Sequence, residues 1–157
     1  MAREWSLGGV SADDLFEMAA MVEQGGFDFY ARLTARSIDP RVRNELKFLR
    51  DEEAMHKSWF LGQLRARGGA PRGALAPALL RDLNEEFLAP LEEVLQPGGG
   101  DVDTARALRM GSELEQKSID FYAAMQEVLE PGLRAELGRI MMEEETHRRK
   151  LEAIRGS

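Results

Sequence analysis

Two stretches of this chain repeat each other, and each carries acids and a histidine where a core would otherwise be apolar. Glu23-Gln24-Gly25-Gly26-Phe27-Asp28-Phe29-Tyr30 aligns with Glu115-Gln116-Lys117-Ser118-Ile119-Asp120-Phe121-Tyr122, identical at five of eight positions. Residues 40–56 align without a gap on residues 131–147, sharing proline, glutamates and histidine. The repeat is too long for a solenoid unit and occurs only twice. Two copies folding back on each other, a pseudo-twofold bundle, are its natural product.

Both halves read as helix. Residues 15–33 carry apolar side chains at helical spacing behind Ser11, Asp13 and Asp14, which suit a cap and a first turn. Asp39-Pro40 then sets a capping aspartate before proline at the first helical position. This second helix runs to about residue 67, where Gly68-Gly69 and Pro71 stop it. Residues 70–100 are the least regular third, with short helical pieces expected at 79–87 and 90–95 before Gly98-Gly99-Gly100. Asp101 or Asp103 caps a third helix ending near residue 129, and Glu130-Pro131 opens the fourth. The expected class is all-α: two repeated antiparallel helix pairs, 12–67 and 102–155, joined by a crossover over 68–101 in one domain of residues 1–157.

The chemistry lies in what interrupts the apolar stripes. The second helix gives Val42, Leu46, Leu49, Glu53, His56, Phe60; the fourth gives Leu133, Leu137, Ile140, Glu144, His147, Leu151. A spacing of three puts each Glu and its His on one helix face. On the first helix Phe16, Ala20, Glu23, Phe27 and Tyr30 share a face, and on the third Leu108, Glu115, Ile119 and Tyr122 do. Buried carboxylates cannot remain bare anions, because desolvation and mutual repulsion would force protonation. Two divalent cations would neutralise Glu23, Glu53, Glu115 and Glu144, with His56 and His147 completing the coordination. Oxygen and imidazole donors suit iron, with manganese or a mixed pair as the alternative. One Glu-x-x-His is weak evidence; two repeat-related copies holding the chain's only histidines are strong.

This repeated pattern with a long crossover resembles the ferritin-like superfamily, and especially the di-iron domain of rubrerythrins. The resemblance covers roughly residues 15–154 apart from the irregular stretch. It implies that Glu53 and Glu144 bridge two iron ions, that Glu23 and Glu115 bind terminally, and that His56 and His147 serve one ion each. It implies that Tyr30 and Tyr122 hydrogen-bond ligands or oxygen species. It also implies a homodimer, and hydrogen peroxide or dioxygen as the molecule reduced. One position departs from the family, which carries a further glutamate where this chain has Ser118, with Gly26 as its repeat mate.

Other features have plainer readings. Gly25-Gly26 inside a helix suit close packing, or leave space for a small oxidant near Glu23. Met18, Met21, Met55, Met141 and Met142 read as core filler. Asp51, Glu52, Glu143 and Glu145 fall at angles expected to be solvated or salt-bridged. Asp28 and Asp120 are expected to bond between helices.

A net charge of -7 argues against a nucleic-acid partner. No apolar run is long enough to span a membrane, and no apolar stretch follows Met1-Ala2-Arg3-Glu4-Trp5, so a cytoplasmic protein is expected. The chain has no cysteine, which excludes a built-in rubredoxin-type centre; re-reduction would need an external electron donor such as a rubredoxin. The expected function is a di-iron oxidoreductase reducing hydrogen peroxide or dioxygen. The alternatives are a ferroxidase or iron-handling protein, and an oxygen-activating oxidase acting on an organic substrate.

Overall fold

The computed structural model describes residues 3–37, 39–70, 73, 75–95 and 104–155. Every regular element among them is helical. In chain order these are α1 (Ala12–Arg36), α2 (Pro40–Ala66), α3 (Pro77–Leu83), a π-helical turn (Asn84–Leu88), a 3-10 turn (Ala89–Leu91), α4 (Glu92–Leu95), α5 (Thr104–Val128) and α6 (Pro131–Arg155).

The helix ends follow from their caps. The Ser11 hydroxyl accepts from the Asp14 N–H at 3.1 Å, and Asp39 Oδ1 accepts from the Arg41 N–H at 2.9 Å with Pro40 leading α2. α2 closes on Gly68, whose φ of +78° is the left-handed conformation that glycine adopts without steric cost. Gly68 N–H then reaches the Arg65 carbonyl and Gly69 N–H the Leu64 carbonyl, each at 2.9 Å. The stop expected at Pro71, the glycines 98–100 and the caps expected at Asp101 and Asp103 lie outside the described residues.

Contacts across the bundle fix its directions. Between α1 and α2, Asp13 meets Arg67, Gln24 meets Lys57 and Gly26 faces Glu53. Numbers rise on one helix as they fall on the other, so the pair is antiparallel. α5 and α6 do the same, with Ser112 bonded to Glu152 and Gln126 to the Arg134 carbonyl. α1 also packs on α5 and α2 on α6.

The core differs from the expected stripes in detail. Phe27 and Ile119 are only half-buried, while Phe29 and Phe121 are fully enclosed. The Phe121 ring lies 4.9 Å from Trp5 and 6.0 Å from Phe87, so the N-terminal segment and the crossover extend the buried arc of α5. Phe29 packs against Gly111 of α5. Met55 and Met142, expected in the core, are instead 65% and 73% exposed, because they flank the inward ligands on the outer faces of α2 and α6. Asp28 and Asp120 accept from Gln24 and Gln116 one turn earlier on their own helices, rather than bonding between helices.

The crossover is tied down at several points. Arg3 forks onto Asp82, Glu85 and Glu86 at 3.3, 3.1 and 2.9 Å. Buried Glu17 accepts from the Gly73 N–H at 2.8 Å, and Leu88 rests on Gly25 of α1. Among the described residues no helix is long and apolar enough to cross a membrane.

Candidate metal centre

The four long helices bring all six expected ligands into one buried cluster. Glu23, Glu115 and Glu144 are fully inaccessible, and Glu53, His56 and His147 nearly so. Glu23 comes from α1, Glu53 and His56 from α2, Glu115 from α5, and Glu144 and His147 from α6. Two sets of ligand atoms form. Glu53, Glu115, Glu144 and His147 make one; Glu23, His56 and Glu144 make the other; within each set the atoms lie within 4.8 Å of one another. Glu144 belongs to both sets, whereas Glu53 falls in the His147 set only.

Both histidines turn Nδ1 inward and Nε2 outward. His56 Nδ1 lies 2.7 Å from Glu144 Oε1 and 3.6 Å from Glu23 Oε1. His147 Nδ1 lies 3.8 Å from Glu53 Oε1 and 3.7 Å from Glu115 Oε1. The imidazole rings face each other at 5.8 Å, tilted by 20°. Tyr30 donates to Glu115 at 2.6 Å and Tyr122 donates to Glu23 at 2.5 Å, so each tyrosine serves the carboxylate of the other repeat.

Electrostatics show how uncomfortable this cluster is as bare protein. Burial, and then the neighbouring carboxylates, push Glu53 and Glu144 well above the usual carboxylate range. Glu115 is also buried, but contacts from Glu144, His147 and Tyr30 outweigh that and hold it down at about 2. Burial opposes charge on His56, yet the Glu144 and Glu23 carboxylates overcome it and raise the imidazole to about 12. Burial and the adjacent Glu115 or Glu23 charge raise Tyr30 and Tyr122, so both hydroxyls keep their protons and remain donors.

The donor atoms fit a metal better than they fit one another. Glu23 Oε2, Glu53 Oε1, Glu115 Oε2, both Glu144 oxygens and Nδ1 of both histidines are buried without a hydrogen-bond partner. His56 Nδ1 and Glu144 Oε1 are close enough to bond but are not aligned to do so. Orphaned buried acceptors each cost free energy on the order of 1–3 kcal/mol, so a cluster of them aimed at common points calls for a cation. These Glu and His groups could hold a metal ion.

Glu143, expected to be solvated or salt-bridged, is partly exposed and salt-bridged, and one of its partners is the cluster's own His56. Its Oε2 lies 2.5 Å from His56 Nε2, and Arg139 holds its other oxygen at 2.7 Å. Burial would raise the Glu143 carboxyl, but His56 and Arg139 hold it below its ordinary value. A carboxylate on the outer nitrogen fixes the imidazole so that Nδ1 faces Glu144 and Glu23. The sequence signal was the repeated Glu-Glu-x-x-His, in which the first glutamate precedes the ligand in both copies. Ser118, where a further glutamate would stand, turns its hydroxyl back to the Leu114 carbonyl at 3.0 Å.

The fold and site define a helical bundle with a buried carboxylate–histidine cluster able to hold metal. No family model matches the chain, and no curated protein or solved structure matches it either.

Proposed function

We propose that the protein is a ferritin-like di-iron carboxylate oxidoreductase, rubrerythrin-like in kind, reducing hydrogen peroxide or dioxygen at a four-glutamate, two-histidine site. The observation that carries this reading is Glu144, which stands in both groups of converging buried ligand atoms and would be shared by ions held in each. Two ferrous ions held there would supply the two electrons that, with two protons, convert hydrogen peroxide to two waters.

The chain's own residues bind, orient and seal. Glu23 and His56 on one side, and Glu53, Glu115 and His147 on the other, would hold the pair with Glu144 between them. Tyr30 and Tyr122 fix the orientation of Glu115 and Glu23 through their hydroxyls. The near-complete burial of all six ligands favours a small oxidant over an organic substrate. The groove of about 240 Å³ between the crossover and α5 includes none of the six among its walls. Since the chain has no cysteine, re-reduction would come from a separate donor such as a rubredoxin. A homodimer and manganese in place of iron are parts of the reading that oligomer and metal analysis would test.

The deciding experiment loads metal-free protein anaerobically with ferrous iron and mixes it rapidly with peroxide or dioxygen, following ferric absorbance in the near ultraviolet. Much faster oxidation by peroxide supports a peroxidase. Dioxygen at an equal or greater rate would favour the ferroxidase or oxygen-activating alternatives, and no signal with either would remove the redox role.

A further inference from the structure

We infer that Gly26 is a positioning residue for Glu53: the missing side chain at this point of α1 creates the space in which the Glu53 carboxylate lies. This deepens the metal-site reading above and rests on it for the effect on metal binding. A Cβ at Gly26 would come within 2.6 Å of Glu53 Oε2, 3.0 Å of its Cδ and 3.4 Å of its Cγ. No real Cβ tolerates the first of these, so one partner must move.

The geometry says which. The obstructed atoms are the far end of a flexible side chain, not backbone. A methyl group at position 26 therefore turns the Glu53 carboxylate aside and leaves α1 in place. Glycine in mid-helix is otherwise unfavourable, and alanine would be preferred on helix propensity alone. A helix that keeps glycine here gives up local stability for the room it leaves.

The neighbours show that the effect is local to one ligand. At Gly25, one residue earlier, an added Cβ would lie 3.1 Å from Leu88 Cδ2, an apolar contact with the crossover. In the other repeat the equivalent position is Ser118, whose side chain is bonded to its own helix at Leu114. Space beside Glu53 is thus left by Gly26 on α1, whereas the repeat-related position on α5 carries the Ser118 side chain. Displacing a ligand by a fraction of an ångström is enough to weaken a preorganised site.

The test compares Gly26→Ala, Gly25→Ala and Ser118→Ala with the unaltered protein. Metal-free crystals of Gly26→Ala should show the Glu53 carboxylate rotated away from α1 with the helix unmoved. Anaerobic titration with cobalt(II), read by its visible d–d bands, should show affinity about tenfold weaker at one position and an altered band shape. The metal-free thermal midpoint should hold or rise, separating this from a folding defect. Gly25→Ala and Ser118→Ala should keep the cobalt spectrum of the unaltered protein.

An unmoved Glu53 in metal-free Gly26→Ala, unchanged cobalt binding, or an equal loss in Gly25→Ala would overturn the assignment. Should the unaltered protein take up no cobalt, the metal-site reading falls instead, and the position of Glu53 in the metal-free crystals still decides the part played by Gly26.

Discussion

The two histidines occupy repeat-related positions but live in different surroundings. On one side His56 Nε2 meets Glu143 at 2.5 Å, and Arg139 pins that glutamate from the preceding turn of α6. On the other, His147 Nε2 is 3.8 Å from Glu52, too far for a hydrogen bond. The residue that repeats Arg139 is Phe48, whose ring stands edge-on to His147 at 6.2 Å, with Lys150 over it at 3.9 Å. The repeat has kept its inward-pointing ligands while the layer outside them has diverged. One imidazole is held by charge and the other is walled by an aromatic ring.

Substitution at the group shared by both sides should have the largest effect. Glu144→Ala should abolish binding of both ions, whereas His147→Ala should weaken mainly one; equilibrium dialysis with metal analysis separates the two outcomes. Equal loss in both variants would mean that the two sets are not distinct.

Next come the outer carboxylates. Glu143→Ala should lower metal affinity by about 10–100-fold through loss of the His56 contact, and Glu52→Ala by clearly less. Matching losses, measured by competition with a chelating dye, would show that the two histidines are supported alike after all.

Acidity sharpens the comparison between metal-free and loaded protein. Glu53 and Glu144 have folded-state values raised above 4.5, so their contribution is present below that pH and lost as pH rises through the raised values. His56, raised from 6.5 to about 12, acts in the same direction above 6.5. Glu115, lowered from 4.5 to about 2, adds stability above 4.5 that is lost as pH falls toward 2. Metal-free protein should therefore melt highest near pH 4.5, lose stability above it through Glu53 and Glu144, and lose more above pH 6.5 through His56. Bound metal should flatten that decline, as scanning calorimetry with and without metal would reveal.

The smallest effects lie where the halves are most alike. Tyr30→Phe and Tyr122→Phe each remove one donor to a buried carboxylate, at a cost of roughly 1–3 kcal/mol. Because the bonds are 2.6 and 2.5 Å, the two losses in urea unfolding should agree closely. A large difference would show that the asymmetry reaches inside the cluster.

The ligands were legible in the sequence because an acid on an apolar helix face is rare and twice repeated. Asp39 was legible as a cap for the same local reason: its partner is two residues away. What escaped depended on elements far apart in sequence. Phe29 and Phe121 are buried because α5 faces α1 and because Trp5 and Phe87 cover Phe121, which no helical period reveals. Glu143 was legible as solvated or salt-bridged, but its partner was not, since His56 lies on α2. Gly26 was legible as a place for close packing or for a small oxidant, because the side chain it accommodates also belongs to α2.

The crossed tyrosine bonds carry a consequence for how such a molecule is built. Each helix pair lends its hydroxyl to the other pair's acid, so neither half completes its own site. Two identical half-length chains could supply the same inward donor set that this single chain does. A cut in the crossover should accordingly yield fragments that seek each other out, and the shared acid at position 144 would find its full set of neighbours only when they do.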